Sequence, residues 1–508
     1  MTVVSRIGRA LALALLMISV AGCDGGPFRS KADTGSLQSA VTDPQVRVFY
    51  EARQWKAAWD RDSRKALLKV LGGAAANGLR SDLFLKQPLP RDPSARDAAL
   101  TSAALRYATA LARGYVDPRK INKVYTLPRP KADVAAGLSK ALAGRNLEQW
   151  FEALPPQTDE YRMLSKAHVH FLRLAAKAPP APVPAGKKIK PGSRDPRVPL
   201  IADSLMANGY LDRPGPQKGQ PTAPPPRIYS SGLVAAVRRL QTDYGLEADG
   251  IIGEDTLAVL NAGPSDRARQ LAVAMERRRW LEREPPETRI DVNTAGAFLD
   301  YWRSGRHVDH RRVVVGQPDW ATPQLQSPIF QLVANPYWRV PDSIYEDELV
   351  KKGPGYFASQ GMEWRDDRLV QLPGPKNALG QVKLDMRNKE SIYLHDTPAK
   401  ALFAEAERHR SHGCVRVEKA LEFAALLAAQ DGLIDKFYEA IASRDEKYIK
   451  LKTEIPVRLL YHTVFVDRGG KLRFQADAYG RDDDVAGALG LRRHAGQRPR
   501  IQVEDVGP

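Results

Sequence analysis

The sequence predicts a multi-domain α+β protein, and three observations carry that prediction. Apolar residues recur at helical spacing through the N-terminal region and again between Leu233 and Leu260. From Arg289 the period changes to two, the signature of half-buried strands. Pro-rich stretches separate the blocks. The expected architecture is a helical N-terminal scaffold domain, a small three-helix module and a mostly β domain bearing an inserted lid.

At 508 residues the chain exceeds the ~100–200 residues of one domain, and its apolar content is that of a globular protein. Its formal charge is +18, with basic residues scattered rather than blocked. Such a chain suits any polyanion, whether nucleic acid, an anionic membrane or a wall polymer. The N-terminus chooses among them. Arg6 and Arg9 precede an apolar run, Ala10–Ala21, too short to span a bilayer but suited to a signal-peptide core. The run ends in Val20-Ala21-Gly22-Cys23, which resembles a bacterial lipobox with Cys23 as the lipidated residue. Asp24 resembles the inner-membrane retention signal of enteric lipoproteins. Residues 1–23 are read as a lipoprotein signal peptide, which implies a periplasmic, membrane-anchored protein and argues against nucleic acid as partner. Only one other cysteine exists, Cys414. With Cys23 lipidated no intramolecular disulfide can form, so Cys414 is a free thiol in an oxidising compartment, where such thiols are a liability.

Residues 24–45 are polar and small and read as a tether. A helical domain is expected over 46–177. Phe49, Trp55, Trp59, Leu67, Leu68 and Leu71 recur at helical spacing until Asn77-Gly78, and further helices follow around Asp97–Gly114, Val134–Leu142 and Asp159–Lys177. Residues 178–191 form a stiff Pro-rich linker. The next unit, 192–262, holds a Pro-rich insertion at 213–227 and then Leu240-Gln241, Gly245-Leu246, Asp249-Gly250-Ile251-Ile252-Gly253 and Thr256. These are short helices around a Gly-bracketed turn, and they resemble the small peptidoglycan-binding module, with Leu240 where an aromatic is usual. A helical connector, 263–287, leads into the β domain, 288–480.

In that domain Ile290 and Val292 alternate with polar residues, Asn293–Gly296 turns, and Phe298–Trp302 completes a hairpin. Further strands are expected at Val313–Val315, Ile329–Val333, Gln381–Asp385, Ser391–Leu394, Val457–Leu460, Thr463–Val466 and Leu472–Asp477, with a helix at Lys419–Ala429. Residues 342–375 read as the inserted lid, with a short helix at Glu346–Lys352. Residues 481–508 read as a loose polar tail.

The chemistry gathers at His395-Asp396 and at Ser411-His412-Gly413-Cys414-Val415-Arg416. A nucleophilic cysteine needs a base within reach, donors for an oxyanion and little steric cover. His395 ends a strand, the Ser411–Cys414 turn can aim backbone N–H groups, and Gly413 removes a crowding side chain. No HExxH, CxxC or paired-His spacing signals a metal site.

These motifs resemble the L,D-transpeptidase (YkuD-type) signature, a His followed by Ser/Thr-His-Gly-Cys-x-Arg. Asn335–Pro341, Asn377-Ala378-Leu379-Gly380 and Tyr461–Gly480 extend the likeness to the large multi-domain Gram-negative branch. The resemblance implies peptidoglycan tetrapeptide stems as donor and acceptor. Cys414 would attack at diaminopimelate, release D-Ala, and pass the acyl group to the amine of a neighbouring stem. It implies His395 as base, oriented by the Asp396 carbonyl, and an oxyanion hole from backbone amides of His412, Gly413 and Cys414. Arg416, Ser411, Tyr337, Trp338 and Asn377 would support the loop or substrate. It also implies acylation of Cys414 by carbapenems, and no cofactor. The same thioester could instead be resolved by water, as in an L,D-carboxypeptidase, or by another amine in exchange or protein attachment. A non-catalytic wall tether is the rival from another class.

Overall fold

The computed structural model describes residues 34–177, 180–212 and 227–491. The lipobox with Cys23, most of the insertion at 213–227, and everything from residue 492 lie outside them.

The N-terminal domain is helical, with helices Thr34–Ala40, Pro44–Ala52, Arg61–Gly72, Pro93–Arg113, Val134–Ala143, Leu147–Ala153 and Asp159–Ala175. Their starts are written locally. Asp43, Asp60, Asp92, Asp133 and Thr158 each accept first-turn backbone N–H groups, and Pro44 and Pro93 open helices where no N–H is needed. The pattern expected to run on from Val46 is broken between Ala52 and Arg61. Buried Asp97, on the Ala-rich central helix Pro93–Arg113, accepts Ala58 N–H at 2.9 Å, Trp59 N–H at 3.1 Å and the Tyr50 hydroxyl at 2.5 Å, and so fixes the break. The tether reading fails over 34–45. Leu37 and Val41 are buried in this core, because two apolar residues in a short polar run suffice to dock one helix.

In the small module, helices Val198–Ala207, Ser231–Asp243 and Glu254–Asn261 pack around Ile201, Leu240 and Leu260. Its signature residues are structural. Buried Gln241 donates to Asp249 Oδ1 (2.9 Å) and the Ile251 carbonyl (3.0 Å) and accepts from Gly250 N–H (2.8 Å), holding the Asp-Gly turn closed.

The connector helix, Pro264–Trp280, is the spine of the molecule. Glu276 is fully buried; it accepts from Arg279 (2.5 Å), Trp280 Nε1 (3.0 Å) and Val116 N–H (2.7 Å). Arg279 reaches the Asn77 carbonyl and the Tyr161 hydroxyl, both at 2.7 Å, and Arg278 pairs with Glu160 at 2.6 Å. Arg277 and Arg269 pair with Asp482 and Asp483. These last two partners lie in a helix, Arg481–Ala488, where a loose tail was expected. Val485, Ala486 and Leu489 are buried against the N-terminal core, so the chain is ordered at least to residue 491. The charged run Arg481–Asp484 reads as solvent-facing, yet two of its carboxylates neutralise arginines of the spine.

The catalytic-domain strands are β1 (Arg289–Asn293), β2 (Phe298–Arg303), β3 (Arg306–Gly316), β4 (Gln326–Ala334), β5 (Trp338–Arg339), β6 (Met362–Arg365), β7 (Arg368–Gln371), β8 (Val382–Met386), β9 (Leu394–His395), β10 (His409–Ser411), β11 (Val415–Val417), β12 (Lys447–Leu460), β13 (Val464–Val466) and β14 (Leu472–Phe474). The main sheet runs β10-β3-β11-β9-β8-β4-β12-β1-β2, and β2 pairs back on β3, so the sheet closes on itself. Its core joins Val292, Leu299, Leu332 and Leu384 to Phe423 and Phe437 of helices Ala420–Gln430 and Ile434–Ala442. β12 begins ten residues before the expected strand because its first half, Lys447–Glu454, alternates with charged residues. The β13–β14 hairpin does not close this domain as expected. It forms its own sheet, and Val464 and Phe474 belong to the core of the small module.

The lid carries its own three-stranded sheet, β5-β7-β6, and a cluster of Trp338, Leu349, Phe357 and Leu369. Its helical turns are Asp342–Ile344, Tyr345–Leu349 and Pro354–Ser359, so the expected Glu346–Lys352 helix starts earlier and is interrupted.

Asp482→Ala leaves Arg277 buried without its countercharge. It should lower the unfolding free energy by about 3–5 kcal/mol in urea denaturation, whereas a change below about 1 kcal/mol would place the pair at the surface energetically.

Candidate active site

Two neighbouring strands bring the predicted residues together. β9 and β11 run parallel, with Leu394 opposite Val415 and Arg416 opposite His395. Cys414 sits one residue before β11, and Val415 N–H donates to the Tyr393 carbonyl (3.1 Å), which fixes the cysteine beside the end of the histidine strand. Cys414, His395, His412 and Arg416 line one cleft of about 580 Å³, together with Trp320, Tyr337, Trp338 and Tyr393.

His395 Nδ1 lies 2.6 Å from the Asp396 carbonyl oxygen. A carbonyl only accepts, so Nδ1 carries the proton and Nε2 keeps its lone pair. Burial and the charge of Arg416 push the imidazole down to about 3, with the Asp396 bond opposing them. The ring is neutral at any physiological pH. Asp396 is itself held: its N–H donates to Val382 (2.9 Å), its carboxylate accepts from Gln381 N–H (3.0 Å) and pairs with Lys400. Gly380 (φ +61) lies against that carboxylate, where an added Cβ would come within 2.3 Å of it. This close approach explains the glycine of Asn377-Ala378-Leu379-Gly380.

Cys414 follows a turn in which Gly413 adopts φ +107, a conformation that an L side chain resists. Ser411 Oγ donates to the Cys414 carbonyl (2.6 Å), and Thr322 Oγ1 donates to the Gly413 carbonyl (2.9 Å). Of the three amides expected to form the oxyanion hole, Gly413 N–H is directed at Ser411 Oγ (3.3 Å). The His412 and Cys414 N–H groups have no hydrogen-bond partner among the described residues. Burial pushes the Cys414 thiol up, while hydrogen bonds from Tyr393 and the charges of Lys383 and Arg416 oppose it. At rest Cys414 is therefore a thiol, its S–H directed at the Ser391 carbonyl (3.7 Å), and His395 a neutral imidazole.

The supporting residues divide. His412 Nε2 donates to Glu348 of the lid (2.5 Å) and its ring meets Trp320 edge-on, which directs it away from proton transfer at Cys414. Arg416 is buried, and among the described residues no carboxylate lies within 4.0 Å of it. Tyr337 and Trp338 do line the cleft, although Trp338 is mostly packed into the lid. Asn377 does not reach the cleft. It is buried and donates to the carbonyls of Pro336 (3.0 Å) and Leu372 (2.9 Å), a brace at the base of the lid rather than a substrate contact.

Two cleft residues, and one lid residue that meets His412, escaped the sequence reading. Tyr393 packs on His395 at 5.6 Å between ring centroids, and Lys383 sits over its ring at 4.3 Å. Its position two residues before His395 was the available signal, since i and i+2 share a face. Glu348 had no such signal, because a lid residue meets the motif only through tertiary folding.

A free cysteine at the end of the histidine strand, in one cleft with an imidazole of fixed tautomer, is the arrangement that a cysteine acyltransferase requires. Comparison with known proteins makes this particular. Residues 287–444 match the L,D-transpeptidase catalytic domain (YkuD), 44–167 a scaffold domain and 194–260 a putative peptidoglycan binding domain. The chain thus carries a YkuD-type L,D-transpeptidase catalytic domain, as the motif resemblance implied. A putative L,D-transpeptidase of Haemophilus influenzae is 30% identical over 220 residues, which span 39% of this chain and 45% of that relative, so the chain covers less than half of its length. Among solved structures, the catalytic domain of an E. faecium L,D-transpeptidase acylated by ertapenem is 12% identical (35% of this chain, 99% of that one, TM-score 0.20). An L,D-transpeptidase from Xylanimonas cellulosilytica is 16% identical (54% of this chain, 98% of that one, TM-score 0.18).

A neutral resting pair has a kinetic signature. Alkylation of Cys414 by iodoacetamide in the free enzyme should rise about tenfold per pH unit from pH 6 to 8, tracking the thiolate fraction. A rate already level below pH 7 would indicate a preformed thiolate–imidazolium pair.

Proposed function

We propose that this chain is a peptidoglycan L,D-transpeptidase acting on tetrapeptide stems from the periplasmic side, held at the membrane by lipid on Cys23. The observation that carries the proposal is the fixed tautomer of His395, whose Nε2 lone pair is left for the cleft that also holds Cys414.

In the forward half-reaction Nε2 removes the thiol proton as sulfur attacks the carbonyl of diaminopimelate that bears the terminal D-Ala. The carbonyl oxygen gains charge, which the His412 and Cys414 N–H groups would receive. The amide C–N bond then breaks, and His395 returns the proton to the leaving D-Ala amine. In the second half-reaction His395 takes a proton from the side-chain amine of an acceptor stem, which attacks the thioester, and the thiol is regenerated. Arg416, buried at the cleft wall with no carboxylate within 4.0 Å among the described residues, suits a stem carboxylate. The peptidoglycan-binding domain would keep the enzyme on its polymer.

The full chain incubated with disaccharide-tetrapeptide should yield cross-linked dimer and free D-Ala by mass spectrometry. Cys414→Ser should abolish both, and His395→Gln should slow them by about 10²–10⁴-fold. Tripeptide without dimer would make the enzyme a carboxypeptidase. Unchanged substrate would refute catalysis on stems.

A further inference from the structure

On the outer face of the barrel, away from the cleft, β2 and β3 bring Asp300, His307 and His310 together. His307 Nε2 and His310 Nδ1 each lie 2.8 Å from the same oxygen, Asp300 Oδ1. One donor atom from each residue falls within 4.8 Å of the other two. Strand periodicity alone does not predict this cluster. His307 and His310 are an odd number of residues apart on one strand, and simple alternation would put them on opposite faces. A β-bulge changes that. Tyr301 pairs with Asp309 but Trp302 pairs with His307, so Val308 is the extra residue. Trp302 and Asp300 share a face, and their partners His307 and His310 therefore do too.

The site is pre-set in other ways. All three side chains are about three-quarters shielded from water, so part of their desolvation has been met by folding. The Trp302 ring stands edge-on to His307 at 5.2 Å, and the Phe298 ring lies 5.5 Å from His310. The neighbouring carboxylate, Asp309, does not compete. It accepts the His310 backbone N–H (2.8 Å) and pairs with Arg311 (2.7 Å).

We propose that Asp300, His307 and His310 form a binding site for a late first-row divalent cation of the zinc–copper class. Two imidazoles and one carboxylate suit such ions, whereas Mg²⁺ and Ca²⁺ favour all-oxygen sets. Tetrahedral bonds of about 2.0–2.1 Å place ligand atoms about 3.4 Å apart, so each imidazole nitrogen need only draw back from Asp300 Oδ1 from the present 2.8 Å, within the 4.8 Å that spans the three donor atoms. In the bound state each neutral imidazole would carry its proton on the ring nitrogen turned away from the ion, leaving the nitrogens that now face Asp300, together with Asp300 Oδ1, as ligands. Three protein ligands leave at least one position for water. The ion would staple the hairpin whose pairing closes the barrel, and β3 continues from that hairpin to Gly316 beside the Gly413 turn.

The test uses the full, tag-free chain carrying Cys414→Ser, which removes the active-site thiol as a competing ligand. Calorimetric titration should show one equivalent of Zn²⁺, no uptake of Mg²⁺ or Ca²⁺, and a raised melting temperature with Zn²⁺. His307→Gln and His310→Gln, each made in that background, should weaken Zn²⁺ binding by more than about tenfold. One equivalent of Cu²⁺ should give a paramagnetic resonance spectrum split by imidazole nitrogen, a readout that needs no variant at the site. Absence of stoichiometric uptake, full affinity in both histidine variants, or a copper spectrum without imidazole nitrogen would each overturn the assignment.

Discussion

The hydrogen bond from His395 Nδ1–H to the Asp396 carbonyl is the constraint on which the site depends. Without it the imidazole could present either nitrogen, and nothing would reserve a basic lone pair for the thiol. The bond joins adjacent residues, so it depends on the local backbone path. That path is set by the Asp396 carboxylate, tied to Lys400 and to the Gln381 N–H, and by the missing side chain at Gly380. Burial then does the electrostatic work. The same shielding that lowers the imidazole pKa raises that of the thiol, so neither carries charge at rest. On the proposed mechanism, charge would appear only when a carbonyl enters, and the His412 and Cys414 amides, which have no hydrogen-bond partner among the described residues, would receive it.

One helix ties together the elements that surround the β domain. Pro264–Trp280 carries four arginines whose partners lie in the helical domain, the C-terminal helix and the β13–β14 hairpin. Buried ion pairs are costly to form but more costly to break by halves. They therefore fix how the elements meet more than they add to net stability. The lid is attached differently, through the His412–Glu348 contact and the Asn377 brace. One Glu348 oxygen remains buried without a partner among the described residues, which weakens the closed position relative to a fully satisfied contact.

Much of this was legible in the sequence where function constrains short motifs. Cys414, His395 and the Gly413 turn could be read because each residue type answers a chemical need at fixed spacing. The small module could be read because Gln241 and Asp249-Gly250 build one hydrogen-bonded turn. Features made by tertiary contact could not. The helix at Thr34–Ala40 and the one at Arg481–Ala488 looked like polar tails, since a docked surface helix needs few apolar residues and its buried carboxylates resemble exposed ones. Asn377 looked like a substrate contact, and only the backbone carbonyls around it show otherwise. The face shared by His307 and His310 depends on a single bulged residue that no periodicity predicts.

The most direct test of the central claim is a nitrogen-15 NMR titration of the imidazoles, with His395 assigned by its loss in His395→Gln. A neutral ring protonated on Nδ1, unchanged from pH 5 to 8, is the predicted result. An imidazolium signal for His395 at neutral pH, or a ring protonated on Nε2, would contradict it.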